Sequence, residues 1–357
     1  MARKTAGVSG ALIAALFILF AVDAAASTAY VGVAHANVRK GPGTSYAIVG
    51  VLSKGTTVNV VTRSGNWRQI SSPINGWVSR TNLRSSLGAG TGGPLVITFI
   101  DVGQGDSELI RSPGGKSVLI DAGDAHGGAA VLNTLSKIGA ASLDLVYMTH
   151  PHDDHIGGMK AVLAQFLPGL FFDPAFPNPT KTYDALLAYV KDRGIPYKVA
   201  RRGQQTDIGG GVTLLALAPE LPFLKGTRSD PNSNSIILRL TYNQFTALFT
   251  GDSEVETEQR LLASGQALSA TVLKVAHHGS RYASTDAFLH AVAPKVGIIS
   301  CGTGNVYGHP HAEALARLAA AGVKVHRTDL EGTITLTTHG GDPMVQSERS
   351  PPVAAAK

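Results

Sequence analysis

A short segment rich in histidine and aspartate carries the strongest chemical signal in the sequence. The string T-H-P-H-D-D-H occupies residues 149–155, directly after an apolar run that predicts a buried strand ending in a polar loop. Its spacing lets His150 and His152 turn to one side, while Asp154 and His155 turn to the other. Imidazole and carboxylate ligands suit zinc, and manganese or iron also fits. The segment predicts two adjacent metal sites; the alternative is a polar surface loop.

Further motifs follow in a fixed order along the chain. Apolar strand patterns end in Asp-Ala-Gly at 121–123, in Thr-Gly-Asp at 250–252 and in His-His-Gly-Ser at 277–280. Together with H-x-H-x-D-H, this order resembles the metallo-β-lactamase superfamily. The resemblance implies an α/β fold, a four-layer αββα metallo-β-lactamase sandwich with metal ligands on loops at one edge. The elements expected after residue 95, a strand meander followed by alternating strands and helices, fit that architecture.

Finer motifs resemble one branch of that superfamily. They are D-V-G-Q-G-D-S at 101–107, N-V-Y-G-H-P-H at 305–311 and R-T-D-L-E-G at 327–332. These are similar to the hydrolase domain of ComEC-type DNA-uptake (competence) proteins, over roughly residues 94–340. An exported phosphodiesterase or nuclease is the function that this resemblance implies.

The resemblance implies a partition of ligands between two divalent ions, expected to be zinc, with manganese as the alternative. The ligands expected are His150, His152 and Asp252 for the first ion and Asp154, His155, Asp252 and His278 for the second. The superfamily's usual additional histidine is missing from residues 229–235, so the first site is expected to be weaker and more open. Of the adjacent pair, His278 is taken as the ligand and His277 as a contact outside the metal shell or to a substrate phosphate.

The same resemblance assigns catalytic and substrate-binding roles. Asp154, Asp252, His277 and His309 are the expected catalytic residues, and His277, Ser280, Asn305 and His309 the expected substrate contacts. His309 precedes a predicted helix at 312–321, whose free N–H groups could cradle a phosphate; it could also be a general acid or an ordinary cap residue. Two ions sharing Asp252 would lower the pKa of a bridging water and so present a hydroxide nucleophile.

Two single residues complete these expectations. Asp121 is expected to anchor the 149–155 loop by hydrogen bonds rather than to bind metal. Cys301, the only cysteine, excludes an intramolecular disulfide and is expected in the core.

The N-terminus has the pattern of an export signal. Two basic residues precede an apolar run at 11–22 and an Ala-Ala-Ala stretch, so residues 1–26 are predicted to be a cleaved signal peptide. The mature protein is then expected to be periplasmic or extracellular, with no integral membrane domain. An uncleaved anchor is the alternative.

Residues 28–86 are expected to form a separate module. Short strand patterns separated by turn residues predict a small all-β barrel, and N-V-R-x-G-P, G-N-W and G-W-V resemble a bacterial SH3 domain. The module holds seven basic and no acidic residues, whereas residues from 87 onward hold 22 basic and 24 acidic ones. An anionic polymer, either nucleic acid or an acidic wall polymer, is the expected partner. Trp67 and Trp77 are expected in its core, with a ligand groove as the alternative.

The predicted organisation is therefore a signal peptide at 1–26, an SH3-like domain at 28–86, a linker at 87–94, a hydrolase domain at 95–340 and a disordered tail at 341–357. Two other functions fit the residues. One is hydrolysis of a wall-linked phosphodiester or another ester or amide, with a β-lactam least favoured. The other is a wall-binding module whose catalytic fold is inactive.

Overall fold

The structure is a computed structural model that describes residues 27–53, 56–84, 93–140 and 142–350. The chain divides into two compact units, one ending at Ser85 and the other beginning at Ser86. The predicted signal peptide and residues 87–92 of the predicted linker lie outside the described residues. Within the described part, no helix has the length and apolar character needed to cross a membrane.

The small unit is one antiparallel sheet of seven strands in the order β3-β2-β6-β5-β4-β1-β7. Its strands are β1 (Ser27–Val31), β2 (His35–Arg39), β3 (Ile48–Ser53), β4 (Thr57–Ser64), β5 (Trp67–Ile70), β6 (Gly76–Ser79) and β7 (Leu83–Arg84). Alternate residues of β2 and β4 point into a core of small aliphatic side chains. Trp67 and Trp77 are only half-buried and lie outside that core, so the expectation of core tryptophans is wrong.

The large unit contains two mixed sheets. The eight-stranded sheet has the order β13-β12-β11-β10-β9-β8-β21-β22 and the seven-stranded sheet the order β14-β15-β16-β17-β18-β19-β20. The strands are β8 (Leu95–Phe99), β9 (Glu108–Arg111), β10 (Ser117–Ile120), β11 (Leu143–Tyr147), β12 (Pro168–Asp173), β13 (Tyr197–Val199), β14 (Gln205–Asp207), β15 (Val212–Ala218), β16 (Ile237–Tyr242), β17 (Phe245–Phe249), β18 (Val272–Lys274), β19 (Val296–Ile299), β20 (Lys324–Arg327), β21 (Ile334–Thr338) and β22 (Met344–Ser347).

Helices cover the outer face of each sheet. They are α1 (Gly127–Lys137), α2 (Asp153–Ile156), α3 (Met159–Gln165), α4 (Lys181–Asp192), α5 (Asp230–Ser233), α6 (Val255–Ala263), α7 (Asp286–Val292), α8 (Ala312–Ala320) and α9 (Thr328–Glu331). One apolar cluster joins the two sheets, a second joins the first sheet to α1, α3 and α4, and a third joins the second sheet to α6, α7 and α8. The predicted αββα sandwich, preceded along the chain by an SH3-like β domain, is confirmed.

Parallel pairing sets the position of the loops that matter. Strands β10 to β13 are parallel neighbours, and so are β17 to β20. The carboxyl ends of parallel strands meet at one edge of a sheet, where ligand-binding loops collect. The loops after β10, β11, β17 and β18 carry Asp121, the 149–155 segment, Asp252 and the His277-His278 pair.

Two sequence expectations differ from the structure. The predicted disordered tail is wrong for Met344–Ser347, because β22 pairs antiparallel with β21 and Val345 packs against the core between the sheets. Residues 351–357 lie outside the described residues. Helices α2 to α4 and strands β12 to β14 were not predicted, although α4 carries apolar residues at helical spacing, namely Tyr183, Leu186 and Val190.

Candidate metal centre

The 149–155 segment leaves β11 and turns directly into the single-turn helix α2. His152 is the N-cap residue, so Asp154 and His155 fall in the first turn of the helix. His150 and His155 are fully buried, whereas the Asp154 side chain is 30% exposed and opens to a cleft. Asp153 is exposed on the same turn.

Asp121, at the end of β10, holds this loop in place. Its carboxylate accepts hydrogen bonds from the Thr149 backbone N–H at 2.7 Å and from the Thr149 hydroxyl at 2.6 Å. Its Oδ2 also lies 2.7 Å from Nδ1 of His155. Because Nδ1 is occupied, Nε2 of His155 faces the cleft side of the loop, which is how an outer carboxylate orients a metal-binding imidazole. The predicted anchoring role of Asp121 is confirmed.

Asp252 lies between the donor groups. Its Oδ1 is 3.3 Å from Nε2 of His155 and 3.5 Å from Nε2 of His278, while Oδ2 is 3.8 Å from Nε2 of His150. Nε2 of His278 is in turn 3.3 Å from Oδ2 of Asp154. One carboxylate thus faces imidazoles with both of its oxygens, as a bridging ligand would.

Asp154, His155, Asp252 and His278 form a group whose donor atoms all lie within 4.8 Å of one another. Among the described residues, Nε2 of His155, Nε2 of His278 and Oδ1 of Asp252 are buried and have no hydrogen-bond partner. Buried polar atoms without partners are costly, and a divalent cation would satisfy all three at once. The donor set therefore fits a metal ion, and it consists of the four ligands expected for the second ion.

Electrostatics in this group favour bound positive charge. Burial disfavours the charged imidazoles of His155 and His278, but Asp252 and the neighbouring carboxylates outweigh it and raise the pKa of both rings well above the ordinary value. Burial also works against the carboxylate of Asp252, yet His278 and His155 hold its pKa well below the usual range. The carboxylates that raise the pKa of these two rings would attract a metal cation in the same way.

His150 and His152 stand beside this group. Nε2 of His150 lies 3.1 Å from Nδ1 of His152, with the rings edge to face. Burial, followed by the charge of His155, lowers the pKa of His150 well below its ordinary value, so the ring is neutral and has a lone pair to offer. These two rings and Oδ2 of Asp252 mark the place expected for the first metal.

A buried charge network supports His278 from behind. Nδ1 of His278 contacts the Ser300 carbonyl oxygen at 2.9 Å and Oδ1 of Asp106 at 3.2 Å. Oδ2 of Asp106 lies 2.7 Å from the Lys274 ammonium. Asp106, Asp121 and His155 form a second group of close donor atoms, but Lys274 and Thr149 already engage the two carboxylates, which therefore support the centre from outside.

Gly105 permits the close approach of two loops behind the cleft. Its φ of 141° lies in the region that favours glycine, and a Cβ there would fall 2.2 Å from the carbonyl oxygen of Asp154. The neighbouring Asp106 N–H donates to that same carbonyl at 3.3 Å. The D-V-G-Q-G-D motif therefore fixes the backbone of a ligand residue.

A cleft of about 580 Å³ lies over the donors. Its walls comprise Gln104, Asp124, Pro151, His152, Asp153, Asp154, Thr180, Asn232, Asp252, His277, His278, Tyr307 and His309. Burial, with nearby His278 and His277, lowers the pKa of His309 to about 3. Its ring is neutral near pH 7 and can donate a hydrogen bond, but it brings no positive charge to a substrate.

Two of the expected substrate contacts are placed differently. Asn305 uses its amide internally: Nδ2 donates to the carbonyls of Gly302 and His309, and Oδ1 accepts from the His309 N–H. Asn305 therefore shapes the His309 loop rather than lining the cleft. Ser280 is buried, and its hydroxyl accepts from the Tyr282 N–H at 3.3 Å, so it also lies outside the cleft wall.

Sequence reasoning missed the outer residues of the centre. Asp106 lies in the D-V-G-Q-G-D-S motif at 101–107, but no role was expected for it. No role was expected for Glu254 either, although it lies only two residues after Asp252. Lys274 is a lone charge inside an apolar strand, where a buried partner should have been expected. Cys301 is buried as predicted, and its thiol donates to Asp329 at 3.3 Å.

Comparisons with known proteins agree with this geometry. Residues 100–303 match the family model described as the metallo-beta-lactamase superfamily, and residues 34–84 match the bacterial SH3 domain. The chain is 30% identical to ComE operon protein 3 of Bacillus subtilis over 67% of this chain and 32% of that protein. It is 29% identical to competence protein ComA of Neisseria gonorrhoeae over 67% of this chain and 31% of that protein. The chain thus spans about a third of the length of these curated relatives.

Among solved structures, the chain is similar to the metallo-beta-lactamase fold protein YhfI from Bacillus subtilis. That similarity covers 69% of this chain and 100% of the other, with 16% identity and a TM-score of 0.43. The family match covers more than half of the sequence and includes the loops that carry the donor cluster. The chain therefore belongs to the metallo-beta-lactamase superfamily, and its hydrolase domain follows a bacterial SH3 domain.

Proposed function

We propose that this metallo-beta-lactamase-fold hydrolase is an exported phosphodiesterase that holds two divalent ions, zinc or manganese, and cleaves DNA. The observation that carries the proposal is the position of Asp252, each of whose two oxygens faces donor imidazoles beneath an open cleft. Ions held by His150, His152, Asp154, His155, Asp252 and His278 would supply Lewis-acid catalysis and a water of lowered pKa.

The chain's own residues position the substrate in this proposal. The backbone of His309 is held by Asn305, and its neutral ring donates a hydrogen bond to a phosphate oxygen in the cleft. Tyr307 is 62% exposed and stacks beside His309, with ring centroids 5.7 Å apart, so it offers a flat surface to a neighbouring base. The resemblance of the motifs at 101–107 and 305–311 to ComEC-type DNA-uptake proteins supports a nucleic acid as the substrate.

The test of activity uses the protein lacking residues 1–26, supplied with manganese or zinc. Substrates are single- and double-stranded DNA, a bis-aryl phosphodiester and a chromogenic β-lactam. Cleavage of DNA and of the small ester, abolished in Asp252→Asn and retained in the exposed-surface variant His290→Asn, is the expected result. Cleavage of the β-lactam alone, under either metal, would overturn the proposal.

A wall-linked phosphodiester is the second candidate, favoured by the matched bacterial SH3 domain. Both candidates involve an anionic polymer that the basic module recruits. Lys40, Arg63 and Arg80 are exposed cations of that module. Changing all three to glutamine should raise KM for the polymer and flatten its dependence on salt, while turnover of the small ester stays unchanged. A wall polymer cleaved faster than DNA would favour the second candidate.

A further inference from the structure

The geometry points to His277 as the third imidazole ligand of the first metal site, and we propose that Glu254 holds it in that role. The inference rests on the two-metal centre proposed above. It replaces the expectation that His277 contacts a substrate phosphate, and it supplies the histidine that residues 229–235 lack.

His277 and His278 are adjacent in the chain, yet their rings are held in different directions. His277 and His278 both adopt left-handed backbone conformations, with φ of 49° and 54°. The conformation is uncommon for residues other than glycine, and consecutive examples are rarer still. As a result, the rings of His277 and His278 face different oxygens of the Asp252 carboxylate. Nε2 of His278 lies 3.5 Å from Oδ1 of Asp252, and Nε2 of His277 lies 3.7 Å from Oδ2.

Oδ2 of Asp252 is the oxygen on the side expected for the first metal. Nε2 of His150 approaches the same oxygen at 3.8 Å. The His277 N–H also donates to the carbonyl of Gly251 at 3.1 Å, which ties the histidine backbone to the residue before Asp252. His150 and His277 thus flank the oxygen that would face the first ion, and His152 lies against His150.

The three rings nearest Asp252 share one arrangement. Each has a buried carboxylate at Nδ1: Asp121 for His155 at 2.7 Å, Asp106 for His278 at 3.2 Å and Glu254 for His277 at 3.0 Å. In each ring the other nitrogen, Nε2, is directed at Asp252. A carboxylate behind a ring fixes the tautomer whose lone pair points forward, as is usual for metal-binding histidines.

Glu254 is suited to that supporting role. It is 1% exposed, and its Oε1 lies 3.5 Å from Nε of Arg228. Nδ1 of His277 lies 3.0 Å from Oε1 of Glu254, and both atoms are buried with no other hydrogen-bond partner among the described residues. Glu254 is a positioning residue here, because it touches His277 alone among the donors described.

The experiment measures metal binding and needs no substrate. Metal-free full-length protein is titrated with Mn²⁺, and free Mn²⁺ is counted by electron paramagnetic resonance; Zn²⁺ affinity is measured against a coloured chelator. The wild type should bind two ions. In His277→Asn, which keeps a residue tolerant of left-handed backbone, one ion should bind as in wild type and the other at least about tenfold more weakly.

Two further variants make the result specific. Glu254→Gln should weaken the same ion by about 10–100-fold, as expected for loss of an outer carboxylate. His278→Asn should instead weaken the other ion, and the exposed His290→Asn should change neither. Circular dichroism and urea denaturation check that each variant is folded, and Glu254→Gln carries the test if His277→Asn does not fold.

The inference is overturned if His277→Asn, or a folded Glu254→Gln in its place, binds both ions with wild-type affinity. If His277→Asn lost turnover but bound both ions as the wild type does, His277 would instead be assigned as a substrate contact. It is also overturned if wild type binds a single ion or if both ions weaken equally. Failure to cleave DNA, by contrast, would refute the proposed substrate and leave these binding results intact.

Discussion

The ammonium of Lys274 lies 2.7 Å from Oδ2 of Asp106, and both side chains are 1% exposed. Asp106 also contacts the ring of His278. The buried pair therefore contributes both to the stability of the second sheet and to the position of this histidine in the centre. Burial lowers the pKa of Lys274, but Asp106 and Glu108 outweigh that effect and raise it.

We expect Lys274→Met to lower the free energy of unfolding by about 3–5 kcal/mol, because it leaves Asp106 charged in the interior without its lysine partner. Urea denaturation of the metal-free protein measures this. The double variant Lys274→Met/Asp106→Asn removes both charges and should recover part of the loss. A single variant as stable as wild type would show that the pair contributes nothing to folding.

The two metal ions should leave in separate stages. The donors Asp154, His155, Asp252 and His278 already lie within 4.8 Å of one another and include two carboxylates, so this site should bind more tightly. Stepwise dialysis against a chelator, followed by metal analysis, should remove one ion well before the other. Simultaneous loss of both ions would contradict the assignment of ligands to two sites.

Metal affinity should rise with pH. The pKa values of His155 and His278 are raised in the fold, after their carboxylate neighbours outweigh burial. Protonation of these rings therefore stabilises the metal-free protein at low pH, and that contribution is lost as pH rises through the folded-state pKa values. Since metal binding displaces these protons, Kd should fall by up to about tenfold per pH unit for each proton released. Isothermal titration in buffers of different ionisation enthalpy counts the protons; a Kd independent of pH would refute this.

Carboxylates of the centre and the lone cysteine should differ sharply in their effect on turnover. Asp154→Ala and Asp252→Ala should each lower kcat by at least about 1,000-fold, since several kcal/mol of charge stabilisation depend on the metals. Cys301→Ser should retain activity, because the serine hydroxyl can make the same hydrogen bond to Asp329. Steady-state kinetics on the small phosphodiester measure both. An inactive, folded Cys301→Ser would place this residue closer to the chemistry than its contacts indicate.

The order of motifs and its resemblance to a known family were enough for the architecture, and local patterns indicated most of the donors. Strand patterns that end in Asp121, in the 149–155 segment and in Asp252 identify the loops at the carboxyl ends of parallel strands. Such patterns depend on neighbouring residues alone, so they can be interpreted without the fold. The helix at Ala312–Ala320 also lies close to its predicted position at 312–321.

Only the tertiary structure decided which groups stand behind the donors. Asp106 reaches His278 from the opposite sheet, and the direction of the His277 ring depends on backbone angles that no sequence pattern specifies. Asn305 was expected to contact the substrate, but its amide donates hydrogen bonds to carbonyls of its own loop. The physical reason is common to all three. The sequence determines which side chains can bind a metal, whereas orientation and outer hydrogen bonds depend on how two sheets pack face to face.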